Sequence, residues 1–175
     1  LIPDAAPTGD WQLMVDAHSG AILEARDRAF YFTGQGRIFN PDPLSSARAE
    51  YGDPGFSDNW DADSAPLGNQ QLQAAMLQLS QGPGPEYRLS GPYAEIVDIE
   101  SPFRGTFAQS DPDFDFSRRQ SGFEAVNSYY HIDAMMRYIN ETLGIPVMPY
   151  QYGGGVQADP HGLGGADNSH YLPTT

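Results

Sequence analysis

Ser121-Gly122-Phe123-Glu124-Ala125-Val126-Asn127-Ser128-Tyr129-Tyr130-His131-Ile132-Asp133-Ala134-Met135-Met136-Arg137-Tyr138-Ile139-Asn140-Glu141-Thr142-Leu143-Gly144 is the run on which the fold turns. Ala125, Tyr129, Ile132, Met136, Ile139 and Leu143 recur at alternating steps of four and three, which lines one face of an α-helix. Phe123, Val126, Tyr130 and Ala134 widen that stripe, so a helix over about 122–143 needs cover on more than one side. Ser121 and Glu124 have the S-x-x-E spacing of a capping box, and Gly144 with Pro146 supplies the stop. Asp133 with Arg137, and Arg137 with Glu141, sit four apart and, if exposed, add a few tenths of a kcal/mol per pair.

With 175 residues the chain is long enough for one domain with a real core, or a small domain plus an attached piece. No stretch approaches the roughly 20 apolar residues of a membrane-spanning helix. A formal net charge of −14 with no lysine argues against nucleic acid and anionic membrane surfaces as partners, because phosphate binding needs clustered cations. Cysteine is absent, which removes disulfides, thiolate metal sites and cysteine nucleophiles. The abundance of Asp, Gly, Pro, Tyr and Asn leans towards an exported protein. Leu1-Ile2-Pro3-Asp4 carries neither an initiator methionine nor a signal pattern, so the chain is expected to begin inside a longer precursor.

Outward from the helix, alternating Trp11, Leu13 and Val15 and the turn Asp16-Ala17-His18-Ser19-Gly20 predict a β-hairpin over 10–26, with His18 as a solvated turn residue. Gly34-Gln35-Gly36 lacks the third glycine, the helix and the lysine of a phosphate loop, and reads as a turn into a short strand ended by Asn40-Pro41. Residues 44–68 read as a polar surface excursion with Trp60 as its only large anchor. Residues 69–81 are ambiguous between helix and strand. Short strands at 87–89 and 93–99 around Gly91-Pro92 suggest an antiparallel meander, and 101–110 a loop or edge strand. Val147-Met148-Pro149-Tyr150-Gln151-Tyr152 reads as a strand, Gly153-Gly154-Gly155 as a close approach or bend, Asp159-Pro160-His161-Gly162 as a turn, and 167–171 as a last short strand.

Chemistry is sparse in this pattern. Asp111, Asp113 and Asp115 stand two apart, the spacing by which hard-cation loops supply oxygens, yet the glycine and closing glutamate of an EF-hand are missing. They read either as a calcium loop or as acids in a solvated segment. No two histidines have the H-x-x-x-H spacing of a helical zinc site. His131 and Asp133 diverge around the helix, and His131, beside Asn127, reads as a satisfied structural histidine. His161 and His170 lie in a Gly-rich tail that could fold them together. No serine sits in a G-x-S-x-G elbow, and no carboxylate pair is fixed within an apolar pocket.

Several segments in order resemble a family. Phe123-Glu124-Ala125-Val126-Asn127-Ser128-Tyr129-Tyr130-His131-Ile132-Asp133, the Leu143-Gly144 stop, and Asp159-Pro160-His161-Gly162 followed by Asp167-Asn168-Ser169-His170-Tyr171 look like the segment just before the zinc helix of thermolysin-like and fungalysin-like metallopeptidases. Residues 11–23 are similar to the closing hairpin of the propeptide in such precursors. Gly34-x-Gly36, Phe39-Asn40-Pro41-Asp42-Pro43 and Leu89-Ser90-Gly91-Pro92-Tyr93 are similar to the mature N-terminal region.

The expected fold is therefore α+β: an antiparallel, β-rich lobe with one long amphipathic helix over about 122–143 and an N-terminal β-hairpin. Residues 1–32 form the propeptide-like hairpin and 33–175 the N-terminal lobe, including a cleft-edge strand at 166–171. The resemblance implies a non-catalytic N-terminal portion of a secreted zinc metalloendopeptidase, in which Asp167, Asn168, Ser169 and Tyr171 would pair with an extended peptide substrate. It also raises the weight of calcium at Asp111, Asp113 and Asp115. The family's H-E-x-x-H helix does not occur here, so zinc belongs only to a catalytic part on the same precursor or another chain, and these residues alone should not hydrolyse peptides. The other reading is a non-enzymatic extracellular structural or self-assembling module derived from that lobe, motivated by exposed strand edges.

Overall fold

Asp16 reverses the chain between the first two strands. Its carboxylate accepts from the amides of His18 and Ser19, both at 2.8 Å, an Asx turn that joins β1 (Trp11–Val15) to β2 (Ile22–Asp27) as an antiparallel hairpin. The computed structural model describes residues 11–27, 31–82, 84–149 and 154–172. His18 is exposed at the turn, as its context predicts. Leu13, Met14, Val15, Ile22 and Leu23 are exposed as well.

β3 (Phe32–Ile38) runs straight through Gly34 and Gly36, correcting the expectation of a turn there. The reason is packing: both glycines are buried, and a Cβ on Gly36 would stand 2.6 Å from Val126 Cγ1, while one on Gly34 would meet the Pro112 carbonyl. The strand needs glycine for close approach, not for a turn. Beyond it, α1 (Pro43–Ala47) is capped by Asp42, which accepts from Ser45 N at 2.8 Å. A left-handed turn at Asn59–Asp61 throws Trp60 into solvent, 95% exposed, so Trp60 does not anchor the excursion. That work falls to Leu67 in α2 (Ala65–Gly68) and to Phe56, which pack with Phe39 and Phe123.

β4 (Leu72–Gln81) resolves the ambiguous run as a strand, antiparallel to β3. Helix-favouring residues are overridden because Met76 and Leu79 each bury nearly all their surface in the core. They lie three apart and still share a face because the β3–β4 register shifts between Phe32 and Gly34 and Gln78 takes a positive φ of 53°. A bulge of this kind resets the alternation. β5 (Tyr87–Arg88) pairs antiparallel with the end of β4. β6 (Ala94–Ile96) does not continue a simple meander: apart from a single antiparallel bridge between Ser90 and Glu95, its partner is a later strand. After an irregular 101–110 segment, β7 (Asp113–Phe114) adds parallel to β3, giving the order β5-β4-β3-β7.

α3 (Gly122–Arg137) packs on β3 and β6. Ala125, Val126 and Tyr129 are completely buried against Ile38, Met76, Leu79, Leu89 and Phe114, and each large side chain so buried contributes about 1.5–3 kcal/mol. The Tyr129 hydroxyl donates to Leu77 O at 2.8 Å, which satisfies it in the core. The expected capping box does not form. Ser121 already has helical φ/ψ of −55° and −17°, whereas a capping side chain needs an extended backbone, and Glu124 turns elsewhere.

The helix runs into a π turn at Tyr138–Thr142, where Leu143 N donates to Tyr138 O at 2.9 Å. Gly144 then takes φ 66° and Ile145 N donates to Ile139 O at 3.0 Å, a closure that requires the left-handed residue the sequence supplies. Asn140 grips the exit by bonding Met136 O and both backbone groups of Val147. Val147, Met148 and Pro149 form no strand, and the rest of that expected strand lies outside the described residues.

β8 (Val156–Ala158) pairs parallel with β6, placed there by the close approach of Gly155 to Ala94. A single helical turn, α4 (Gly162–Gly165), follows. Residues 167–172 form no strand, which corrects the last expected element: Asn168 turns its side chain back to accept from Ser169 N at 2.8 Å instead of lying in a ladder. The molecule is α+β, with an antiparallel sheet region, one long helix and an N-terminal hairpin.

Candidate functional site

Three groups of polar side chains surround α3. The first braces its middle. His131 Nε2 lies 2.9 Å from Phe39 O, and Asn127 Oδ1 accepts from Phe39 N at 3.0 Å. One turn apart on the helix, the two side chains hold both backbone groups of a residue just past the end of β3. His131 is thus a structural histidine.

The second group lies at the far end. Asp133 is 5% exposed and accepts from Arg137 Nε at 2.7 Å and Nη2 at 3.0 Å, while Arg137 Nη1 donates to Glu141 at 3.1 Å. The guanidinium carbon sits 5.0 Å from the centre of the Tyr93 ring. Burial pushes the Asp133 carboxyl up, against the pull of Arg137. Burial also raises the hydroxyls of Tyr129 and Tyr93, the latter with Glu141 adding to the effect. The sequence spacing of four was legible. The burial was not, because Tyr93 arrives from 44 positions away to roof the pair.

The third group gathers the C-terminal segment onto the start of α3 and is the strongest candidate for chemistry. Asp159 Oδ2 accepts from the amides of Ile99 and Glu100 at 3.0 and 2.9 Å, and its Oδ1 accepts from His161 N at 3.1 Å. That turn presents the His161 ring edge to Glu124, with Nε2 3.6 Å from Oε2. Phe107 packs at 5.7 Å from the imidazole centre. Glu124 Oε2 is shut off from solvent and makes no hydrogen bond. Burial pushes its carboxyl up; its own backbone amide and His161 pull it down, and Asp61 adds to the rise. Glu100 Oε2 accepts from Leu163 N at 3.0 Å and meets His170 Nε2 at 3.0 Å. The tail does not bring His161 and His170 into one site: each is matched to a different glutamate. Each pair sets an imidazole beside a carboxylate.

Asp111, Asp113 and Asp115 part company. Asp111 accepts from Asp113 N at 2.9 Å, and Asp115 is held by Arg37 at 2.6 Å and by Gln73 at 3.1 Å. Among the described residues no group of three histidine, aspartate or glutamate side chains is arranged to hold a metal ion. His131, His161 and His170 meet separate partners, and His18 is exposed at the hairpin turn, so among the described residues they do not come together as a zinc centre. Asp167, Asn168, Ser169 and Tyr171 are exposed along the surface. A depression of about 360 Å³ lies elsewhere, lined by Gln35, Gln73, Ala75 and Asp113 and by no residue of the two pairs.

Comparison with protein-family models, with curated proteins and with solved structures finds no match. The class defined by the fold is an α+β protein, and among the described residues no helix is long and apolar enough to cross a membrane.

Proposed function

We propose that the chain is a non-catalytic N-terminal portion of a secreted zinc metalloendopeptidase of the thermolysin-like or fungalysin-like kind. It would supply a support helix and a surface stretch, Asp167, Asn168, Ser169 and Tyr171, for an extended peptide. The observation that carries the reading is the order of the resembling segments, from the hairpin through Phe39-Asn40-Pro41-Asp42-Pro43 and the 123–133 helix to Asp167-Asn168-Ser169-His170-Tyr171. An α3 packed beneath the sheet and an exposed 167–172 stretch are compatible with it. In that role the stretch would become a strand only when a catalytic part or a substrate supplies a neighbour, because strand ladders need two partners. Zinc would sit in that catalytic part. The coding sequence beyond residue 175 tests the reading: an in-frame H-E-x-x-H supports it, and a frame that ends or continues without one defeats it.

A second reading is a non-enzymatic extracellular module that associates with copies of itself. The exposed apolar side chains Leu13, Met14, Val15, Ile22 and Leu23 on a two-stranded hairpin favour it, since such a hairpin is marginal without a sheet to join. Light scattering that returns a monomer across a wide concentration range counts against it.

A further inference from the structure

The six asparagines of the chain are followed in turn by Pro41, Trp60, Gln70, Ser128, Glu141 and Ser169. Proline has no amide hydrogen, and a long side chain crowds the approach of its own backbone nitrogen to the asparagine ahead of it. That leaves Asn127-Ser128 and Asn168-Ser169, two copies of one dipeptide that the fold treats in opposite ways.

Asn127 and Ser128 lie inside α3, where the Ser128 amide belongs to the helical ladder. Phe39 N, donating at 3.0 Å, holds Asn127 Oδ1 away from that amide. Asn168 and Ser169 are exposed and belong to no helix or strand. The Asn168 side chain folds back so that Oδ1 accepts from Ser169 N at 2.8 Å, while Asn168 N donates to Ala166 O at 2.7 Å. The carbonyl carbon bonded to Oδ1 is thereby brought alongside the nitrogen of the next residue, which is the approach that closure of a five-membered ring needs.

We propose that Asn168-Ser169 is a self-modification site, at which the exposed stretch converts an amide to an acid with water as its only co-reactant. Ser169 N, having given its proton to solvent, attacks Asn168 Cγ. The N–Cγ bond forms, the Cγ–Nδ2 bond breaks, and Nδ2 takes up a proton and leaves as ammonia. Water then opens the succinimide at either ring carbonyl, giving aspartate or isoaspartate. The sum is amide plus water to carboxylate plus ammonium, and nothing is oxidised or reduced. Either product sets a new carboxylate beside Asp167, and isoaspartate also adds a methylene to the main chain, so the stretch changes in charge and in backbone length. The site stands on this geometry and does not depend on the peptidase reading.

Prolonged incubation of the whole chain in mildly alkaline buffer, followed by mass spectrometry that locates aspartate and isoaspartate residue by residue, tests it. In the folded chain conversion at 168 should outrun that at 127 by at least about tenfold, because α3 must open before Asn127 can react. In urea, where the two dipeptides lose their different surroundings, the rates should converge to within about threefold. Ser169→Val should slow position 168 by about tenfold, since a branched side chain crowds the ring closure, with an unchanged circular dichroism spectrum reporting that the variant has folded. Equal conversion at 127 and 168 in the folded chain overturns the proposal. So does a position 168 that converts in urea and stays intact when folded, a gap between the two positions that persists in urea, or a rate at 168 indifferent to Ser169→Val.

Discussion

Arg137 closes on Asp133 with two hydrogen bonds, 2.7 and 3.0 Å long, inside the protein rather than on its surface. A pair spaced four apart on a helix stabilises weakly in water, but here both side chains lie beneath Tyr93, 16% and 7% exposed. The balance then reverses, because a buried carboxylate without its partner has no compensation.

Arg137→Met is therefore expected to destabilise the fold by about 3 kcal/mol, well beyond the surface-pair value. Asp133→Leu combined with Arg137→Met should recover most of that loss, since an apolar pair of similar volume avoids the desolvation penalty. Urea unfolding of the two variants at neutral pH measures both effects. A loss in the single variant no larger than that of an exposed pair would contradict the buried geometry.

Glu124 makes a prediction of opposite sign. Burial raises its folded carboxyl above the unfolded value, so its contribution to stability is fully present below the unfolded pKa and is lost as pH rises through the raised folded one. Above that window the wild-type chain carries a charge that is poorly solvated. Glu124→Gln should accordingly be more stable than wild type by about 1 kcal/mol near pH 8, with the gap closing towards acid. Thermal melts across pH check it, and a gap that widens towards acid refutes it.

Gly36 lies under Val126, with room for hydrogen and no more. Gly36→Ala should cost about 1–3 kcal/mol through overpacking. Val126→Ala in the same chain should relieve part of that cost, so the two changes are non-additive in a double-mutant cycle. Additive losses would mean that the strand and the helix do not meet at this point.

Calcium at Asp111, Asp113 and Asp115 would have to draw Asp115 away from Arg37 and Gln73. Ion binding restricted to the folded state would then raise the melting midpoint, by about 2.7 kcal/mol of stability at a hundredfold excess over Kd. Asp115→Asn should blunt the rise. A midpoint indifferent to calcium and to chelator retires the calcium reading.

The helix and its exit were legible because their determinants are local: the stripe from Ala125 to Met136, and a glycine at 144 able to take a positive φ. The hairpin turn at Asp16 was legible for the same reason. Gly34-Gln35-Gly36 misled, since glycine marks either a turn or a close contact, and only the partner, Val126 or Pro112, tells which. The expected strand at 167–171 is absent: Asn168 turns its side chain back onto Ser169 N, and the segment finds no neighbouring ladder among the described residues.

The sequence by itself thus determined the fold class, the long helix and the residue types available to a site: four histidines, no cysteine and an excess of acids. Tertiary structure decided which histidine meets which acid. Glu124 and His161 are 37 residues apart and Glu100 and His170 are 70 apart, and they meet because β8 pairs with β6 and draws the tail back across the start of α3. Periodicity and spacing act over a few residues. Burial, partner choice and the cost of an enclosed charge are set by what the rest of the chain places on top.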